Sequence, residues 1–92
     1  MRKRNGIWNT LAFAADLPDE PIPGLPLVEI VDDRRVLIEN HRGVNEYGRN
    51  MIRIKVKFGS ICVCGRELEL ARMNRGQLII SGVIEAVQLC RG

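Results

Sequence analysis

Ninety-two residues, 46% apolar and 27% charged with a net charge of +3, are an ordinary globular composition and exclude a wholly disordered chain. Eleven of the fourteen basic residues are arginine, which favours planar recognition of carboxylates or phosphates over a diffuse positive field. Three cysteines, an odd number, argue against a disulfide-stapled secreted scaffold and for a reducing compartment.

The chain opens with Arg2, Lys3 and Arg4, followed by Ile7, Trp8, Leu11, Ala12 and Ala15 at the spacing of one helical face. A short amphipathic helix is expected there. Its basic residues beside a tryptophan make Arg2, Lys3, Arg4, Ile7, Trp8 and Leu11 a candidate contact with an anionic membrane surface, packing on the body or on a partner being the other use of that face. Asn9 and Thr10 interrupt the run, so it reads as a signal peptide poorly, and no stretch approaches the ~20 apolar residues of a spanning helix. Pro18, Pro21, Pro23 and Pro26, set among Asp16, Asp19, Glu20 and Gly24, end the helix in an extended acidic linker. The expected division is therefore a helix-and-linker segment over 1–26 and a β domain over 27–92.

From Leu27 onward the apolar period becomes two. Val28 and Ile30, then Val36 and Ile38, predict two strands split by a turn at Asp32-Asp33-Arg34. Ile52, Ile54, Val56 and Phe58 alternate with Arg53, Lys55 and Lys57, the pattern of a strand with one buried and one solvated face, and Leu68 and Leu70 repeat it against Glu67 and Glu69. Gly59, Gly65, Gly76 and Gly82 follow at intervals of six, eleven and six, which suggests successive hairpins with glycine at each corner, notably Lys57-Phe58-Gly59 and Asn74-Arg75-Gly76. The expectation is an all-β fold of seven or eight short strands, the last across Val83 to Cys90, in a small antiparallel meander forming a sandwich or half-open barrel. A body this small hides only about 60% of its unfolded surface, so a second copy or another protein is a natural source of further burial.

Catalysis needs a nucleophile held by a base, paired carboxylates, a metal or a phosphate cradle, and none occurs here at usable spacing. A non-enzymatic protein without cofactor is expected. His41, the one histidine, reads as a polar turn residue between Asn40 and Arg42. Cys62 and Cys64, two apart on a strand, are expected to run parallel without bridging, and with Cys90 they fall short of the usual four zinc ligands. Arg53, Lys55 and Lys57 form the best basic stripe, either a solvated face or a docking surface for an acidic partner. The alternative, a small basic nucleic-acid-binding β-barrel, is weakened because the body holds only Tyr47 and Phe58 as aromatics, with Phe58 directed inward and no stacking platform left.

The stretch Leu37-Ile38-Glu39-Asn40-His41-Arg42-Gly43-Val44 resembles the YqfC branch of the YabP/YqfC sporulation proteins of spore-forming Firmicutes. Leu25-Pro26, Tyr47, Gly59, Gly65 and the run Ile80-Ser81-Gly82-Val83-Ile84 carry the likeness over about residues 17–90. The resemblance implies a β-rich, non-catalytic protein made in the mother cell, located in the cytoplasm or peripherally at a membrane, with a membrane-protein partner of the same programme. It supplies no ligand, metal or catalytic residue. The role of Ile38, Glu39, Asn40, His41, Arg42 and Gly43 stays open at this level. Asn45, Asn50 and the Cys62-x-Cys64 pair depart from the family pattern.

Overall fold

The structure is a computed structural model that describes residues 24–92. The helix and the membrane contact expected at Arg2, Lys3, Arg4, Ile7, Trp8 and Leu11 lie outside these residues. What is described is all-β: β1 (Leu27–Val31), β2 (Arg35–Glu39), β3 (Val44–Tyr47), β4 (Met51–Val56), β5 (Gly59–Met73) and β6 (Gln77–Arg91). All pairings are antiparallel in one open sheet of order β1-β2-β6-β5-β4-β3. β3 to β6 follow one another as a meander, while the β1–β2 hairpin docks on the far side of β6.

The alternating runs become strands as expected. Val36 and Ile38 of β2, and Ile52, Ile54 and Val56 of β4, turn inward and are buried. The β1–β2 turn forms where Asp32-Asp33-Arg34 predicts it, with Asp32 at φ 54° and the Arg34 amide donating to Val31 O at 3.2 Å. Lys57 and Phe58 form the β4–β5 turn, so β4 ends at Val56 and Lys57 lies beyond the strand.

The strand count is the main correction. The expected seven or eight short strands are six, because four of the predicted pieces fuse into two strands of fifteen residues each. Gly65 and Gly82 are not corners between strands but interruptions within β5 and β6. A Cβ on Gly65 would collide with the Val83 carbonyl oxygen, and one on Gly82 would come within 2.6 Å of Glu67 O. The register shifts between Cys64 and Gly65, between Arg66 and Glu69, and between Leu70 and Arg72 bend the long hairpin at the same place. Gly76 does mark the β5–β6 turn, yet without positive φ. Asn74 shapes that turn instead, its Oδ1 accepting from the Gly76 and Gln77 amides at 3.2 and 3.0 Å.

The bend explains how one sheet buries a core. β4 pairs with Gly59–Cys64 of β5, before the bend, and β2 pairs with Gln77–Ser81 of β6, beyond it. Val36, Ile38, Leu78 and Ile80 from one lobe nevertheless join Ile52, Ile54, Val56, Ile61 and Val63 from the other, with Leu68 at the bend, in a single cluster. The two lobes therefore curl toward each other over their apolar faces. Each of these aliphatic side chains contributes about 1.5–3 kcal/mol by leaving water.

Gly65→Ala should cost about 3 kcal/mol or more, since backbone must move to admit the methyl, whereas Gly76→Ala, facing open space, should change stability by about 0.5 kcal/mol or less. Urea midpoints of the two variants measure the difference.

Candidate interaction surface

The signature stretch forms the crossing from β2 to β3, and its hydrogen bonds reach from the β5–β6 turn to β4, two parts of the sheet that no strand pairing connects. Ile38 is fully buried at the end of β2, and the Glu39 carboxylate accepts from Gln77 Nε2 at 3.3 Å. Asn40 takes a left-handed conformation, φ 65°, which a short amide side chain tolerates better than most. Its amide donates to Gly76 O at 2.6 Å and its Nδ2 to Leu25 O at 2.7 Å.

His41, expected as a polar turn residue, is buried at 8% exposure. Its Nε2 lies 2.9 Å from Asn74 O and its Nδ1 accepts from the Gly43 amide at 3.0 Å. A carbonyl only accepts and an amide only donates, so the partners assign the Nε2–H tautomer. The Arg42 amide then donates to Lys55 O at 2.7 Å, and the Lys55 amide to Gly43 O at 2.8 Å, carrying the chain onto β4. Arg42 itself is exposed. The hexapeptide thus acts as a clasp between the β5–β6 turn and β4. Asn74, the acceptor at the centre, escaped the sequence reading, where it counted only as a turn residue.

The basic stripe is less uniform than its spacing suggests. Arg53 Nε donates to Glu46 Oε1 at 2.8 Å across the β3–β4 pair, and this bonded carboxylate raises the guanidinium further above its usual value. Lys55 and Lys57 are exposed and have no ion-pair partner among the described residues. Phe58 packs partly against the core, as expected, and carries the Arg91 guanidinium 5.6 Å above its ring.

Beside the stripe, Arg53 stands opposite Cys62, and Met51 opposite Cys64. The thiols are free, with the Cys62 and Cys64 sulfurs 3.8 Å apart. Burial pushes the Cys62 thiol up, and its contact with the Cys64 sulfur adds to the shift. No group of three or more His, Cys, Asp or Glu side chains among the described residues has a geometry to hold a metal ion. A shallow cleft of about 480 Å³ lies between the β3–β4 turn and the bend, lined by Tyr47, Gly48, Arg49, Leu68, Glu69 and Leu70. It offers one aromatic ring, a guanidinium and a carboxylate, groups suited to recognition.

A profile of the YabP family matches residues 26–91, the whole described sheet. The chain belongs to the YabP family. It is also 24% identical to the uncharacterized protein YqfC of Bacillus subtilis (strain 168) over 87 residues, covering 95% of this chain and 94% of that protein. No solved structure matches. The YabP family match places the Asn40–Gly43 clasp, the bend and the basic stripe within one family unit. No helix among its described residues is long and apolar enough to cross a membrane.

His41→Ala should cost about 1–3 kcal/mol by leaving the Gly43 amide and the Asn74 carbonyl without their partner, read from urea unfolding. Imidazole nitrogen NMR should report Nε2 as the protonated site. At mildly alkaline pH, iodoacetamide should label Cys64 and Cys90 before Cys62, as mass spectrometry of quenched aliquots will resolve.

Proposed function

We propose that this protein is a non-enzymatic interaction module of the sporulation programme, acting in the mother cell by docking its β domain on a membrane-associated protein. Membership of the YabP family suggests a sporulation-related protein, and that match, coextensive with the sheet, is the observation that carries the reading. The surface supports it in detail. Lys55 and Lys57 present cations with no ion-pair partner among the described residues, beside the Arg53–Glu46 pair, a pattern suited to an acidic segment of a partner. The cytoplasmic side of a membrane is the corresponding location.

The nucleic-acid alternative has less support. Arg53 already holds a carboxylate, and Tyr47, 60% exposed, is the only strongly exposed aromatic ring among the described residues. A backbone-tracking site would also have to show affinity that falls steeply with salt.

Affinity capture from sporulating cells in mild detergent should recover a membrane protein with the wild-type chain and about tenfold less with Lys55→Glu/Lys57→Glu, a loss typical of reversed charges at an interface. Equal recovery by both, or recovery of no membrane protein, overturns the reading. Heat-resistant spore counts in the same strains connect docking to the developmental outcome.

A further inference from the structure

Four stretches of strand have a neighbour on one side only among the described residues: β1, β3, the second half of β5 and the second half of β6. Such edges offer unpaired backbone groups to any passing strand and are normally blunted by bulges, charges or brevity. Three of the four are blunted. β3 has four residues, with a register shift between Val44 and Glu46. The second half of β5 contains the shifts at Arg66/Glu69 and Leu70/Arg72. β1 is centred on Glu29, so self-pairing about its middle would set two carboxylates against each other.

β6 is different. The β1–β2 turn covers it as far as Ile84, whose amide donates to Asp33 O at 2.7 Å. From Ala86 to Arg91 it then runs in regular register with β5, without proline, glycine or a further shift. Leu89 on this stretch is 62% exposed, the most exposed large apolar side chain described.

The order of residues is also self-complementary. Laid antiparallel on a second copy about Gln88, the segment sets Glu85 opposite Arg91, Ala86 opposite Cys90, Val87 opposite Leu89 and Gln88 opposite itself. Every pair is compatible: opposite charges at both ends, small with small, aliphatic with aliphatic, amide with amide. A two-fold axis requires this relation, because every pair off the axis then occurs twice, once on each side of Gln88.

We propose that two copies of this chain pair antiparallel along residues 86–90 of β6, about a two-fold axis at Gln88 and with Glu85 and Arg91 flanking the paired stretch, joining their sheets into one. Leu89 is then covered by Val87 of the other copy. Glu85 and Arg91, which within the chain meet Arg66 at 3.1 Å and the Phe58 ring, come into register with each other across the interface. Lys55 stands across β5 from this edge and Lys57 lies in the β4–β5 turn, so edge pairing does not depend on the docking reading.

Light scattering of the purified full chain across a concentration series should show a species of twice the 10.4 kDa chain mass. Leu89→Lys should keep the β spectrum by circular dichroism and return the monomer. Arg91→Glu should weaken association about tenfold, by replacing two attractive cross-strand pairs with two repulsive ones, and adding Glu85→Arg should restore it. In a Cys62→Ser/Cys64→Ser background, Ala86→Cys should cross-link to Cys90 of the other copy under mild oxidation, since directly opposed positions lie within disulfide reach. A chain that stays monomeric at high micromolar concentration overturns the proposal. So does a dimer that ignores Leu89→Lys and charge reversal, or one that fails to cross-link.

Discussion

The bend of the β5–β6 hairpin is the constraint on which the fold depends. A flat six-stranded sheet leaves its apolar face to water, and no helix among the described residues covers it. Bending two fifteen-residue strands brings Val36, Ile38, Leu78 and Ile80 onto Ile52, Ile54 and Ile61. The bend is possible because the backbones of the two strands approach more closely at Gly65 and Gly82 than any side chain permits. Core and glycines are thus one device: the aliphatic side chains provide the driving force and the missing Cβ atoms the room.

A curled sheet needs something to hold its lobes in place, and the crossing from β2 to β3 does so. Asn40 and His41 spend their polar groups on Gly76, Leu25, Asn74 and Gly43, and Arg42 and Gly43 continue onto Lys55. A buried imidazole with both nitrogens satisfied fixes the tip of the long hairpin relative to the edge of β4. The signature therefore has a structural meaning that accounts for its residue types. It does not require a ligand at His41.

What the sequence revealed follows from which features are local. The alternation of Ile52, Ile54 and Val56 with charged residues is visible because burial on one face imposes period two, and the turn at Asp32-Asp33-Arg34 is visible because its chemistry lies within a few residues. Gly65 and Gly76 look alike in one dimension. They differ because the Val83 carbonyl crosses one and nothing lies near the other, a relation between residues eighteen apart in sequence. The burial of His41 depends on Asn74, and the pairing of Arg53 on a shifted register in β3; neither partner is implied by neighbouring residues. The family resemblance located the right stretch, while the reason for its residues needed three dimensions.

The order of strands also bears on how the chain acquires its shape. β2 finds its place against β6, with Val36 opposite Ile80, so the β1–β2 hairpin has no docking surface until β6 has been synthesised. On the ribosome the β3–β4–β5 portion can zip locally, but Val36 and Ile38 wait in water for Leu78 and Ile80. Long-range closure of this kind slows folding and lengthens the exposure of unfinished β edges. Closure of the core thus waits on Gln77–Ser81, the stretch of β6 that receives β2 and the part of the sheet made last among its partners.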